Sequence, residues 1–242
     1  MSELKVVVLA GGKGSRMNSE AVHLPKVMRL AKGQPLLHYV LKALDFIPKE
    51  NTVLVTGFMA ETVQAAFPDY PAVLQSPQLG TGHAVQCARE HLEGFDGTVL
   101  IAYGDMPLLK KETYQAFIAA HRASGAECTL LSGTCQWDLP YGRVIKDENG
   151  TFRGVVEDRD CTEEQKKIKE LNMGLYCFEC SALLPALSKL QNNNAQNEYY
   201  LTDLPLLIQE AGGEVKVYSA ELNEQIIGVN TPEQLAIVEQ YV

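Results

Sequence analysis

The stretch V6VVLAGGKGSRMNSEAVHLPK26 decides how the rest of the chain is read. Val6, Val7, Val8 and Leu9 are consecutive apolar residues, three of them β-branched, with no polar alternation. That pattern suits a strand covered on both faces, and therefore a central one. Gly11, Gly12 and Gly14 follow at once. A turn without Cβ atoms lets backbone N–H groups approach an anion and adopt positive φ where needed. Lys13, Arg16 and Lys26 add positive charge near the turn, so the stretch describes a phosphate cradle at the carboxyl end of a sheet.

Two better-known phosphate loops do not fit these letters. The P-loop places GK[ST] after Gly-x4, whereas Gly12-Lys13 is followed by Gly14. In the dinucleotide fingerprint Met17 stands where a third small residue belongs, and TVLVTG ends in Gly57 rather than in an acid. A Rossmann dehydrogenase is disfavoured on both counts. The competing reading of the cradle is an ordinary βα turn with solvated lysines.

The 242 residues are 46% hydrophobic, enough for a large core, and read as one domain. A net charge of -9 and a pI near 5.1 argue against nonspecific binding to nucleic acid or anionic membranes. A local cation cluster can still oppose that field for a phosphorylated ligand. One Lys before a short apolar run, without a small-residue cleavage site, does not make a secretory signal, and no apolar run is long enough to span a bilayer. A cytoplasmic protein is expected. Its six scattered cysteines are then reduced thiols, with the Cys177/Cys180 pair read as structural and a redox or metal role as the alternative.

Onward from the cradle, Pro35 to Ile47 has helical spacing, Thr52 to Gly57 reads as a strand, Glu61 to Phe67 as a helix and Ala72 to Gln75 as a short strand. This βαβ alternation predicts an α/β fold with a mostly parallel sheet. In Q75SPQLGTGHAVQCAREHL92, Gly80, Thr81 and Gly82 precede an amphipathic helix, giving a second ligand-facing turn. The amides of Gln75 and Gln78 carry the donor and acceptor that a pyrimidine edge requires. Alternatively Thr81 is an N-cap and the glutamines face water.

T98VLIAYGDMPLL109 predicts a buried strand through Tyr103 and Gly104 that delivers Asp105 just past its end. A carboxylate there suits Mg²⁺, which takes one or two hard protein oxygens and otherwise substrate phosphates. A turn Asp before Pro107 is the alternative. Residues 128–133, 143–147 and 152–157 predict shorter strands, the last two joined by a DENG hairpin turn, in a small antiparallel extension. Gly142, Glu157 and Asn172 fall on or beside them, either as groups for sugar hydroxyls or as solvated hairpin positions. Glu163 to Leu171 reads as a charged helix, and Ser181 to Leu190 as an apolar one broken by Pro185. Tyr199, Tyr200, Thr202 and Asp203 stand at the mouth of another helix. EVKVYSA and IIGVN predict two last strands, Asn230 ending the second, before a helix capped by Thr231.

Taken in order, LAGGKGSR with LPK, QLGTGHA, YGDMPL, YGR, GVVED, NMG, NNNAQNEYYLTD and GVN resemble the sugar nucleotidyltransferases along nearly the whole chain. The NNNAQ and EYYLTD run most resembles the N-acetylglucosamine-1-phosphate uridyltransferase domain of the bifunctional uridyltransferase/acetyltransferase. The resemblance implies a Rossmann-like three-layer αβα nucleotide-diphospho-sugar transferase fold, with residues to about 110 serving the nucleotide and 111–242 the sugar. It implies that Leu9, Ala10, Gly11, Gly12, Gln75, Gln78, Gly80, Thr81, Tyr103 and Gly104 hold UTP, and that Arg16, Lys26 and Asp105 are catalytic. Mg²⁺ would sit on Asp105 and Asn230. Gly142, Glu157, Asn172, Tyr200 and Thr202 would contact the sugar phosphate. A related enzyme with another sugar phosphate or NTP, or a silent nucleotide-sugar sensor, are the alternatives.

Three departures stand out: Gly11 replaces the usual Ala and loosens the turn, EAVH is inserted before LPK, and Met173 replaces a Thr. The chain as read lacks the hexapeptide-repeat acetyltransferase domain. No acetyl transfer and no trimer are therefore expected, but a monomer or weak dimer acting on small molecules.

Overall fold

A computed structural model of the chain describes residues 3–17, 19–135 and 139–242; Asn18, inside the opening stretch, lies outside them. In chain order the elements are β1 (Glu3–Leu9), β2 (Leu30–Ala31), β3 (Gln34–Pro35), α1 (Leu36–Ala43), β4 (Thr52–Thr56), α2 (Ala60–Ala66), β5 (Ala72–Leu74), α3 (Thr81–Cys87) and β6 (Gly97–Tyr103). There follow α4 (Lys111–Ser124), β7 (Cys128–Thr134), β8 (Arg143–Lys146), β9 (Phe152–Val156), α5 (Glu163–Lys166), β10 (Glu170–Glu179), α6 (Cys180–Leu187), α7 (Leu204–Glu210), β11 (Val215–Ala220) and α8 (Pro232–Val238).

The main sheet runs β11-β7-β10-β6-β1-β4-β5. β1 pairs in parallel with β4 and β6, β4 with β5, and β7 with β11. β10 is antiparallel to β6 and β7, and the β8–β9 hairpin joins its side as the antiparallel extension. The even and odd residues of β1 enter different cores. Val6 and Val8 pack with α1, α4 and the buried Val238 of α8, while Val7 and Leu9 pack with α3, α6 and α7. This is the three-layer αβα sandwich, and it explains why β1 shows no alternation. Met17, fully buried, plugs the first of these cores.

Chain order places the site. From β1 the chain winds to β4 and β5 on one side, then crosses to β6 on the other, so the direction of winding reverses between β1 and β6. At such a switch point the following loops part and leave a crevice at the carboxyl ends of the strands. Residues 10–14 and 104–105 are the loops on its two sides.

Several expectations change. IIGVN is not a strand: Asn223–Ile226 is a 3-10 turn, and Val229 N–H donates to the Asp105 carbonyl (2.8 Å). Ile226, Ile227 and Val229 are apolar because they are buried as a strap, without sheet pairing. The charged helix stops at Lys166, and Glu170 and Leu171 already belong to β10. α6 runs through Pro185, because Cys180, Leu183, Ala186 and Leu187 share a buried face that outweighs one lost hydrogen bond. α4, the longest helix among the described residues, falls where the sequence reading assigns no element, and so does the β2–β3 hairpin except for Pro35, which ends β3 while the helix begins at Leu36. Cys87, Cys128, Cys161, Cys177 and Cys180 are free thiols, and no helix of the described residues is long and apolar enough to cross a membrane.

Candidate nucleotide and sugar-phosphate site

Two cavities meet at the crevice. The larger, about 540 Å³, is floored by Leu9, Gly11, Gly12, Lys13 and Gly14 and faced by Gln75, Gln78, Gly80 and Thr81. The smaller, about 170 Å³, is lined by Arg16, Tyr141, Gly142, Glu157, Asn172 and Met173 among others. Tyr103, Asp105 and Asn230 border both, so the two form one groove with a polar junction.

The first glycine turn is packed rather than loose. Gly11 carbonyl accepts from Phe58 N–H (3.1 Å) and from Gln78 Nε2 (2.5 Å), and a Cβ at Gly11 would lie 3.2 Å from Gln75 Oε1. A Cβ at Gly12 would meet nothing within 4 Å. That open space belongs to the cavity, where a ligand can reach the backbone. Residues 20–23 close on themselves, with His23 N–H bonded to Glu20 carbonyl and Leu24 N–H to Ser19 carbonyl. The inserted segment thus loops outward and returns Lys26 to the groove.

The second turn is held by the NNNAQ and EYYLTD stretch. Gly82 N–H donates to Tyr199 carbonyl (2.7 Å), Tyr199 N–H to Leu79 carbonyl (2.8 Å) and Leu201 N–H to Thr81 Oγ1 (3.0 Å). Gly80 has φ +107°, and a Cβ there would sit 2.6 Å from the Tyr199 carbonyl oxygen. Thr81 therefore does not cap α3; Gly80 occupies that position, and the threonine hydroxyl anchors Leu201 instead. Gln75 does not face water: it is buried, and its Nε2 donates to Gly80 carbonyl (2.8 Å).

At the junction Lys26 Nζ is ion-paired with the Asp105 carboxylate and donates to Asn230 Oδ1 (2.9 Å), while Arg16 reaches the same amide oxygen at 3.3 Å. Asp105 and Asn230, 125 positions apart, therefore aim oxygens at one point. β6 delivers the first, and the strap bonded to the Asp105 carbonyl delivers the second. Two hard oxygens beside a phosphate-sized space fit Mg²⁺, which needs few protein ligands. Among the described residues no group of three or more His, Cys, Asp or Glu is placed to hold a metal ion, so the candidate pair is one carboxylate and one amide oxygen.

In the smaller cavity Asn172 is fixed at both ends, its N–H on Gly142 carbonyl (2.8 Å) and its Nδ2 on Tyr176 hydroxyl (2.7 Å). Gly174, at φ +68° in the irregular middle of β10, lets the backbone lie against the Tyr103 ring. Burial raises the Glu157 carboxyl above its ordinary range, partly offset by the hydroxyl of buried Thr202, which donates to it at 3.0 Å. Thr202 thus acts on Glu157 and does not line the cavity. Tyr200 lies on the far side of Glu157, its hydroxyl donating to Asp160 (2.9 Å) and accepting from Gln196. Ala10 and Gly104 contribute backbone, their N–H groups bonding to Val55 and Leu9 carbonyls. Tyr141, Met173 and Glu198 border the groove without having been proposed as ligand contacts from the sequence. Each lies inside a motif that supplied a neighbouring candidate: Tyr141 in YGR, Met173 in NMG and Glu198 in EYYLTD.

A three-layer α/β sheet with a glycine cradle, an adjoining polar cavity and paired metal-type oxygens at its switch point is the architecture of a nucleotidyltransferase. Residues 6–204 match the family model described as the MobA-like NTP transferase domain, and the chain belongs to that family. Among curated relatives, the bifunctional protein GlmU of Alkaliphilus metalliredigens is 42% identical over 239 residues, 98% of this chain and 52% of the relative. The GlmU of Clostridium novyi is 44% identical over 236 residues, 97% of this chain and 51% of the relative. The chain thus spans about half the length of these relatives. A Bacillus anthracis structure described as a glucose-1-phosphate thymidylyltransferase in complex with a sucrose matches 98% of this chain and 94% of its own, with TM-score 0.73 at 14% identity, a likeness of fold.

Proposed function

We propose that this chain transfers UMP from UTP to N-acetylglucosamine-1-phosphate, giving UDP-N-acetylglucosamine and pyrophosphate. The observation that carries the proposal is the junction itself: Lys26, Asp105 and Asn230 converge where a glycine-floored cavity meets a smaller one bounded by Gly142, Glu157 and Asn172. The order of motifs along the chain and the GlmU relatives support the choice of substrates.

UTP lies in the larger cavity with its base against Gln75 and Gln78 and its phosphates over Gly11 to Gly14. The sugar phosphate lies in the smaller one, its hydroxyls and acetamido group against Glu157, Asn172 and the Gly142 backbone. Tyr200 and Thr202 support that wall from behind. A phosphate oxygen of the sugar phosphate attacks the α-phosphorus; the new P–O bond forms as the bond to pyrophosphate breaks. The nucleophile is already anionic, so no side chain need remove a proton. Lys26 and Arg16 meet the charge that develops on the phosphoryl oxygens, and the cavity walls hold the reactants in line. Asp105 and Asn230 would hold Mg²⁺, which when bound would supply further neutralisation of the triphosphate. Residues to about 110 mainly serve the nucleotide and later ones the sugar, with Asn230 crossing that division.

Pyrophosphate release with UTP and N-acetylglucosamine-1-phosphate, compared across other NTPs and sugar-1-phosphates, tests the reading. This pair is expected to have the highest kcat/KM. A higher value for another pair reassigns the substrates, and no release with any pair overturns the reading.

A further inference from the structure

The strap that carries Asn230 is held by one side chain of the sugar cavity. Gly228 N–H donates to the Tyr141 hydroxyl at 2.7 Å. The next residue, Val229, donates to the Asp105 carbonyl at 2.8 Å, and Asn230 N–H is taken by Gln234 Oε1 at 2.7 Å. Three successive N–H groups thus fix the strap before the Asn230 amide oxygen reaches the junction. Two of them end on the Asp105 main chain and on the helix-capping Gln234. The third ends on a phenol reaching across from another element.

The contact is tight and enclosed. A Cβ at Gly228 would lie 2.6 Å from Met106 Sδ and 3.0 Å from the Tyr141 oxygen, so an added side chain there requires the methionine and the phenol to shift. Burial pushes the Tyr141 hydroxyl well above its ordinary pKa, so it stays a neutral acceptor that still owns a proton. Tyr141 also borders the sugar cavity directly beside Gly142, and its carbonyl is gripped by the buried Arg143 guanidinium. Its backbone therefore belongs to the rigid sugar wall and its side chain to the position of Asn230.

We propose that Tyr141 is a positioning residue for the metal. It sets the distance between the Asn230 and Asp105 oxygens and links it to the sugar wall at Gly142. This rests on the reading of Asp105 and Asn230 as the ligand pair. Removing the hydroxyl leaves the Gly228 N–H without its acceptor in a buried place, and the strap relaxes. Outer groups that orient ligands typically govern metal affinity by about 10- to 100-fold.

The test is Mn²⁺ binding in the presence of UTP, followed by the loss of the free-ion electron paramagnetic signal, on the wild-type chain and on Tyr141→Phe, Asn230→Ala, Asp105→Ala, the Tyr141→Phe/Asn230→Ala double variant and Gly228→Ala. Expected are about tenfold weaker Mn²⁺ binding for Tyr141→Phe, with the thermal midpoint nearly kept, and a similar loss for Gly228→Ala, where the added Cβ displaces the strap by a different route. In the Asn230→Ala background, Tyr141→Phe is expected to have no further effect. Wild-type affinity in Tyr141→Phe, or full additivity with Asn230→Ala, overturns the proposal while leaving the ligand pair standing. Mn²⁺ binding unchanged by Asn230→Ala and Asp105→Ala overturns the ligand pair, and the proposal with it. If Tyr141→Phe proves poorly folded, Gly228→Ala decides by the same criteria.

Discussion

Lys26 and Asp105, separated by 79 positions, form an ion pair whose two side chains are each 14% exposed. The pair joins the loop after β1 to the loop after β6 across the switch point, and the Lys26 ammonium occupies the point on which the Asp105 and Asn230 oxygens converge. A triphosphate offers Lys26 another anionic partner and frees those oxygens. Removal of either member of the pair is expected to lower kcat for pyrophosphate release on the order of a hundredfold or more, because one preorganised charge contact is lost. Near-normal turnover in Lys26→Ala or Asp105→Ala would show that the role is misassigned.

Metal dependence follows from the same oxygens. Exhaustive chelation is expected to abolish pyrophosphate release, and Mg²⁺ to restore it in full. In Asn230→Ala the restoring concentration should rise about tenfold or more. Full activity in chelator would remove the metal from the reaction.

Gly12 and Gly174 separate space for ligand from space for chain. Gly12→Ala adds a Cβ that touches no protein atom, so its thermal midpoint should match wild type while its KM for UTP rises. Gly174→Ala forces a side chain to φ +68° with its Cβ 2.7 Å from the Tyr103 ring, and should cost ~1–3 kcal/mol of stability in denaturant titration. Equal behaviour of the two variants in both measurements would contradict this division.

Glu157 gives the sugar site a pH dependence. Burial raises its carboxyl pKa, so it takes up a proton at less acidic pH than an ordinary glutamate and then ceases to be a purely accepting group. The KM for the sugar phosphate should therefore rise as the medium is acidified into that raised range, with the KM for UTP moving less. Glu157→Gln should start from a higher KM and show a flatter profile. Parallel profiles for the two proteins would remove Glu157 from sugar recognition.

Two titratable groups, the buried His121 and the part-buried Asp203, act on stability in opposite directions. Burial holds the pKa of His121 below its ordinary value, so the stability associated with the neutral ring is present above ~6.5 and is lost as pH falls toward the folded value. Burial, with Asp160 nearby, lifts Asp203 to about 6 from 3.8, so its stability is present below 3.8 and is lost as pH rises through about 6. Asp203→Asn should accordingly gain ~1–2 kcal/mol at neutral pH, allowing for solvent screening, and little at pH 4. His121→Gln should flatten the decline on acidification. Urea midpoints across that range check both.

Much of the fold is legible because burial on both faces leaves a mark on composition. β1, β4 and β6 read as uninterrupted apolar runs, and the glycines at 11, 12 and 14 announce a turn that must admit something close to the backbone. Asp105 is legible for a related reason, as a lone carboxylate closing a run that otherwise excludes charge. The same signal misleads at IIGVN, where apolar residues report burial under a strap and nothing in their order distinguishes that from sheet pairing. Sequence alone therefore determined the layered α/β plan, the glycine turns that line the crevice and the chemistry on offer at the strand ends. Only tertiary structure decided which of those groups meet: that Asn230 comes to Lys26 beside Asp105, that Thr202 serves Glu157 while Tyr200 faces Asp160, and that the Tyr141 phenol holds the strap. Such convergences depend on where strands end in space after a sheet has been assembled from distant segments, and no local pattern of residues encodes that position.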